Sequence, residues 1–302
     1  MTGERVLVTG GGGQLSSELA ELLTAAAKVH APGRVELDVT DDDAVAAAFD
    51  TLRPTIVFNC AAFHNVDVCE REEDTAFAVN ARAVKRLAQR CDELGARLVH
   101  MSTNYVFDGS ARQPYSERHL PSPRNIYGIS KLAGEHAALA YAPDALVVRS
   151  AGLYGLHGSA SKGGNFVTRM LARAREQGSL QVVADQSLSP TFTHDLAAGL
   201  LEAVQRRASG VIHLTNAGAC SWHEFTEAIL ELGGVDVPVE PTATARDPGQ
   251  VDRPLNGVLA ATASEQLGLT PLRGWREALE DYMDRAGLRA GAPVGSAHGD
   301  RG

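Results

Sequence analysis

The chain has 302 residues, 44% hydrophobic and 22% charged, enough to bury a sizeable core as one large α/β domain or two lobes. A net charge of −9 argues against a nucleic-acid binder that relies on bulk electrostatics, while leaving room for an anionic small substrate held by a few local cations. No apolar run reaches the roughly 18 residues of a membrane-spanning helix, and the four cysteines (Cys60, Cys69, Cys91, Cys220) show neither a C-x-x-C pair nor metal spacing with histidine. Free thiols and a cytoplasmic location are the expectation, and because MTGERVLVTG runs straight into a strand-like segment no leader peptide is expected.

In chain order, RVLVT (5–9) reads as a short apolar strand, GGGGQLS breaks regular structure, and SSELAELLTAAA continues as a helix. VELDV (35–39) reads as extended, and DDDAVAAAFDTL as a helix with an acidic start. TIVFNCAA is a strand, DTAFAVNARAVKRLAQRCDELG one long amphipathic helix capped by Gly95, and ARLVHMST the next strand. IYGISKLAGEHAALAYA is a helix and ALVVRSAGLYG a strand. Strands alternating with helices at this spacing predict an α/β fold, a doubly wound parallel Rossmann sheet with a smaller C-terminal substrate lobe. The boundaries expected are 1–150 plus about 193–216 for the sheet domain, 151–192 plus 217–286 for the lobe, and a disordered Gly/Ala/Pro-rich tail over 287–302.

Gly10, Gly11, Gly12 and Gly13 lie between the first strand and the first helix. Glycines there let backbone N–H groups approach a pyrophosphate at the helix N-terminus, so a dinucleotide site is expected. Ser16 stands where a third spaced glycine is usual; it is small enough for close packing, and its hydroxyl is a candidate to face phosphate. No acid closes the second strand to hold a ribose 2′-hydroxyl, and Arg34 is near enough in sequence to meet a 2′-phosphate. That favours NADPH, with NADH as the alternative, and places Asp38 nearer the adenine.

The chain has six tyrosines and only four lysines, two of which form Y-x-x-x-K at Tyr127 and Lys131. That spacing puts both side chains on one helix face, where an ammonium would lower the phenol pKa and the phenol would protonate a carbonyl receiving hydride. Thr103 ends a predicted parallel strand beside the binding crevice and is a candidate to hold that carbonyl. Asn80, in AVNARAV, reads either as a residue supporting the cofactor or as a helix-interior amide bonding backbone. His64, His100, His194 and His213 lack metal spacing, DVTDDDAV reads as a helix start, and no metal site is expected. Arg253 in RPLN and the cluster Arg169, Arg173 and Arg175 are candidates for a pyrophosphate; a solvated helix face is the favoured reading of the three helix arginines, and for Arg253 the two readings stand even.

Together the segments VLVTGGGGQLSSEL, IVFNCAAFHNVDVCE, AFAVNARAVKRLA, LVHMSTNYVFDG, NIYGISKLAGE, GGNFV, DQSLSPTFTHDLA and RPLN resemble the extended short-chain dehydrogenase/reductase family, and within it the dTDP-4-dehydrorhamnose reductases, over roughly residues 5–286. The resemblance implies NAD(P)H, a nucleotide-sugar substrate and a Thr103/Tyr127/Lys131 catalytic set, with a homodimer as a family-level expectation. It puts Gly10, Gly13, Gln14, Leu15, Asp38, Val39, Ala61 and Ala62 at cofactor positions, with Lys131 also on the nicotinamide ribose. Val66, Asn104, Tyr105 and Asn165 fall near the sugar or nucleotide. Two positions depart from the family pattern: Asn104 stands where an aspartate is usual, and Gly152 where many rhamnose-forming members carry a tryptophan over the sugar. The related 4,6-dehydratases place an Asp–Glu pair after the threonine, and here Asn104 and Tyr105 stand there, so elimination lacks its acid and base. A non-catalytic NADP-binding subunit, resembling the regulatory subunit of methionine adenosyltransferase, and a sugar-nucleotide epimerase are the alternatives.

Overall fold

The structure, a computed structural model, describes residues 3–157, 164–245 and 249–291. The run RVLVT forms β1 (Arg5–Thr9), and the glycine loop leads into α1 (Gln14–Thr24), whose Leu15, Leu19 and Leu23 recur every fourth residue and are buried. β2 (Lys28–His30), α2 (Asp42–Leu52) and β3 (Ile56–Asn59) follow, with Asp41 capping α2 by accepting the Asp43 and Ala44 N–H groups. Then come α3 (Val66–Arg71), α4 (Glu73–Phe77), a π-helical turn (Ala78–Arg82), α5 (Ala83–Leu94), β4 (Arg97–Thr103), α6 (Ile126–Tyr141) and β5 (Leu146–Ser150). Gly95 closes α5 in the left-handed conformation, as expected.

The rest of the chain contributes β6 (Leu153–Tyr154), α7 (Phe166–Gln177), β7 (Leu180–Val183), β8 (Ser187–Leu188), β9 (Thr191–Phe192), α8 (Thr193–Gln205) and β10 (Gly210–His213). After these come β11 (Cys220–Ser221), α9 (Trp222–Leu232), β12 (Val239–Thr242), β13 (Asn256–Gly257), α10 (Thr262–Gln266) and α11 (Trp275–Arg285).

Six of the strands form one all-parallel sheet in the order β10-β5-β4-β3-β1-β2. Its strands are apolar on both faces. Val6, Val8, Ile56, Phe58, Leu146 and Val148 pack with α1 and α8 on one side, while Leu7, Val57, Leu98 and Val147 pack with α2, α5 and α6 on the other. The strand order reverses between β1 and β3, which opens a crevice at their C-terminal ends. A separate core of Tyr154, Val167, Leu171, Phe192, Phe225, Ile229, Leu279 and Tyr282 joins α7, α9 and α11 into the smaller lobe. Ala263, Leu269 and Leu272 pack against the sheet core instead.

Three local expectations change. VELDV is not a strand: it pairs with nothing, Val35 is fully exposed, and Leu37 and Val39 turn into the core from a loop. The long helix is interrupted by the π-helical turn at Ala78–Arg82. Residues 287–291 are tied down, with Leu288 against the lobe core and the Ala290 N–H donating to Leu232 O at 2.9 Å; the remainder of the expected tail lies outside the described residues.

Candidate active site

A cleft of about 620 Å³ opens where β1, β3, β4 and β5 end, with the lobe as its far wall. One side is the glycine loop. Gly10 (φ +75°) lies so close to the end of β3 that a Cβ there would sit 2.9 Å from Ala61 N. Ser16 is 1% exposed, and its hydroxyl donates to Gly10 O at 2.6 Å while accepting the Gly13 N–H at 3.0 Å. It braces the loop at the cleft wall. Gln14 and Leu15, in the first turn of α1, line the cleft with Gly10, Gly13, Ala61 and Ala62. Helix N-terminal N–H groups have no partner within the helix and attract anions.

The opposite side is catalytic in composition. α6 begins at Asn125, whose side chain accepts the Gly128 N–H at 2.8 Å and donates to Asp252 O at 2.8 Å. Two glycines let α6 settle onto the rest of the fold: a Cβ at Gly128 would stand 2.2 Å from Tyr105 O, and one at Gly134 2.1 Å from Asn80 O. This seating brings Tyr127 and Lys131 against the end of β4. Thr103 shares a hydrogen bond with the Tyr127 phenol and accepts the Tyr105 N–H at 3.2 Å. Lys131 is 2% exposed and donates from Nζ to Met101 O at 2.5 Å. Burial lowers its pKa from 10.5 to about 8, opposed by the Glu135 carboxylate and then Cys60. The Tyr127 phenol is pushed up from 10, by burial first and then by Tyr105 and Cys69, with the Thr103 hydrogen bond pulling the other way. The expected lowering of that phenol by Lys131 is absent: desolvation dominates and keeps the proton on the oxygen.

The lobe side holds the remaining candidates. Asn165 caps α7 and donates to Gly155 O and Tyr282 Oη, both at 2.8 Å. Arg253 pairs with Asp67 at 2.9 Å and hydrogen-bonds Tyr105, whose ring meets Tyr127 edge-on at 5.5 Å. Val66, Asn104, Tyr105, Asn165 and Arg253 all line the cleft. A side chain at Gly152 would be strained (φ +56°) and its Cβ 2.6 Å from Leu188 Cδ1, so an aromatic group cannot simply be restored there. The aromatic wall comes from Trp222 against Phe166, ring centroids 4.4 Å apart, which the sequence does not single out; Arg169, favoured from sequence as a solvated helix-face residue, lines the cleft beside them.

Four candidates fall outside the cleft wall. Asn80 is fully buried, donating to Phe63 O (2.9 Å) and Ser130 Oγ (3.0 Å) and accepting the Phe63 N–H (2.9 Å). Its amide is consumed as a clamp, so of its two readings the structure supports backbone bonding. Asp38 accepts from Thr40 N and Oγ1, which lower its pKa, and from Arg34 at 3.3 Å. Val39 is in the core and Arg34 is on the exposed rim. The loop carrying Arg34 is nonetheless tied to the glycine loop, through the Gly11 N–H to Pro32 O at 2.9 Å. Among the described residues, no group of three or more His, Cys, Asp or Glu is placed to hold a metal ion.

A dinucleotide fits these surroundings. The buried Gln14 Oε1 and Ser150 Oγ line the cleft with no hydrogen-bond partner among the described residues, beside an open helix N-terminus and a buried ammonium. The family model described as the RmlD substrate binding domain matches residues 4–287. The dTDP-4-dehydrorhamnose reductase of Mycolicibacterium smegmatis is 42% identical over 93% of this chain and 85% of its own length.

The chain belongs to the dTDP-4-dehydrorhamnose reductase family. Another relative, the dTDP-4-keto-6-deoxy-D-glucose reductase of Streptomyces niveus, is 41% identical over 91% of this chain and 95% of its own. The crystal structure of dTDP-4-dehydrorhamnose reductase from Bacillus anthracis in complex with NADP superposes with a TM-score of 0.88, at 34% identity, covering 94% of this chain and 99% of that one.

Proposed function

We propose that this protein is an NADPH-dependent reductase of the 4-keto group of a dTDP-linked 4-keto-6-deoxysugar. The observation that carries the reading is the convergence of Thr103, Tyr127 and Lys131 on one cleft with the glycine loop, in a family whose relatives are named for this reduction. NADPH, when bound, supplies the hydride. Gly10, Gly13, Gln14 and Leu15 hold its pyrophosphate end, Arg34 is the cation nearest in the chain for a 2′-phosphate, and Lys131 holds the nicotinamide ribose. Tyr127 keeps its proton at neutral pH and delivers it to the alkoxide oxygen as that charge develops. Thr103 orients the carbonyl. Thr103 is buried and Tyr127 half-buried, which limits competing water at their hydrogen bonds. The sugar lies between the sheet domain and the lobe, with Asn165 and Arg253 toward the nucleotide. We place the enzyme in the cytoplasm as a soluble protein, with a homodimer as the assembly; no helix among the described residues is long and apolar enough to cross a membrane.

A binding-only role would need neither the phenol nor the ammonium buried at the end of β4, and an epimerase would recycle its nicotinamide. The test is NADPH oxidation with enzymatically prepared dTDP-4-keto-6-deoxyglucose, with and without a 3,5-epimerase. Oxidation that requires the epimerase places the protein on the rhamnose route despite Gly152; oxidation without it indicates another deoxysugar. No oxidation in either arm, with NADPH still bound, overturns the reading.

A further inference from the structure

One buried ionic cluster beneath the cleft remains without a role. Glu135 is 2% exposed, one helical turn after Lys131 on α6. Its Oε1 accepts from Ser102 Oγ at 2.5 Å and from Arg149 Nε at 2.8 Å, and its Oε2 from Arg149 Nη2 at 2.6 Å. Ser102 and Arg149 are register partners on β4 and β5. Ser102 also lies between Met101, whose carbonyl takes the Lys131 ammonium, and Thr103, the last residue of the strand. The cluster therefore reaches both halves of the catalytic set: Lys131 through space, and Thr103 through the strand end. A fully buried ion pair contributes little net stability compared with apolar packing, which leaves room for a function.

We propose that Glu135 is a positioning residue for Lys131: its carboxylate, fixed by Ser102 and Arg149, keeps the buried lysine charged and directed at the cleft. The groups facing that ammonium are few. On α6 it is Glu135, itself paired with Arg149 of β5; at the end of β3, Cys60; and on β4, the Met101 carbonyl and His100. His100 is held neutral by burial and by Lys131 itself, and the Cys60 thiol is raised to about 12 by burial, so neither carries charge at neutral pH. Tyr127 is likewise protonated. Glu135 is then the carboxylate that offsets desolvation of the ammonium; without it Lys131 loses its proton at a lower pH.

The proposal deepens the reading of the cleft as a reductase site, and its test does not depend on turnover. Only four lysines occur in the chain, so 13Cε-lysine labelling resolves them by NMR, and Lys131 is identified by the signal lost in Lys131→Met. Lys131 should titrate near 8 in the wild-type protein. In Glu135→Gln the midpoint should fall by at least about one unit, a tenfold shift in the protonation equilibrium. In Ser102→Ala, which keeps the carboxylate, it should move much less. Because Glu135→Gln strands the Arg149 guanidinium, Glu135→Gln/Arg149→Met is made in parallel and should show the same downward shift. A Lys131 midpoint unchanged from wild type in a folded Glu135 variant overturns the proposal and leaves Glu135 a structural ion pair. A shifted midpoint in a protein that reduces no keto-sugar would keep this assignment and remove only the substrate reading.

Discussion

Substituting Gly11 by alanine separates close packing from backbone strain in the glycine loop. A Cβ on Gly11 would fall 2.2 Å from Ala31 O and 2.7 Å from both Pro32 C and Pro32 O, all backbone atoms that cannot rotate away. The loop must lift off the 31–32 segment and lose the 2.9 Å hydrogen bond from Gly11 N to Pro32 O. Overpacking of this kind costs about 1–3 kcal/mol and the hydrogen bond about 1, for a total of about 2–4 kcal/mol. Gly12 is the control: φ is +77° but nothing lies within 4 Å of a Cβ, so alanine there adds only left-handed strain of about 1 kcal/mol. Thermal and denaturant unfolding should rank wild type above Gly12→Ala above Gly11→Ala. NADPH titration should show about tenfold weaker binding in Gly11→Ala, because the N-terminus of α1 moves with the loop. Gly11→Ala that is no less stable than Gly12→Ala would refute the packing reasoning.

Asn80→Ala should cost about 2–3 kcal/mol in denaturant unfolding, since it removes three hydrogen bonds of about 1 kcal/mol each, two to the half-buried Phe63 peptide groups and one to Ser130, while NADPH affinity of the folded fraction stays near wild type; lost affinity at unchanged stability would return Asn80 to the cofactor. Arg253→Ala breaks a partly exposed ion pair with Asp67, so stability should change by under about 1 kcal/mol, whereas the KM for the sugar nucleotide should rise about tenfold. His213 is fully buried and, through burial and then Arg149, has its pKa lowered from 6.5 to about 4. The unfolded chain binds a proton there that the folded one does not, so this stability is complete above pH 6.5 and is lost, by about 3 kcal/mol, as pH falls toward 4. His213→Asn should flatten the acid limb of the unfolding free energy; an unchanged limb would assign it to other groups.

Much of this site was legible because its signals are local. RVLVT followed by four glycines and an amphipathic helix has few other solutions, and Thr103, Tyr127 and Lys131 lie at positions that strand order and helix spacing define. What was missed depends on long-range packing. VELDV has strand-like composition, but β2 at the sheet edge is only three residues long and leaves nothing for it to pair with. The π-helical turn carries Asn80, which faces inward to clamp Phe63, 17 residues earlier in the chain. Trp222 and Phe166 line the same cleft as the catalytic residues only because the lobe folds back over the sheet. Glu135 carries no distinguishing signal in the sequence; only the fold sets Arg149, from strand β5, against it. The sign of the Tyr127 shift is not legible in the sequence for the same reason: spacing reports a neighbouring charge but not the extent of desolvation.

The central claim is that Tyr127 protonates the carbonyl oxygen in an NADPH-dependent reduction. The direct measurement is sugar-dependent NADPH oxidation by wild type and Tyr127→Phe, alongside NADPH binding by each. The account predicts unchanged NADPH affinity and a rate at least about a hundredfold lower in the variant; a Tyr127→Phe enzyme that oxidises NADPH at the wild-type rate would contradict it.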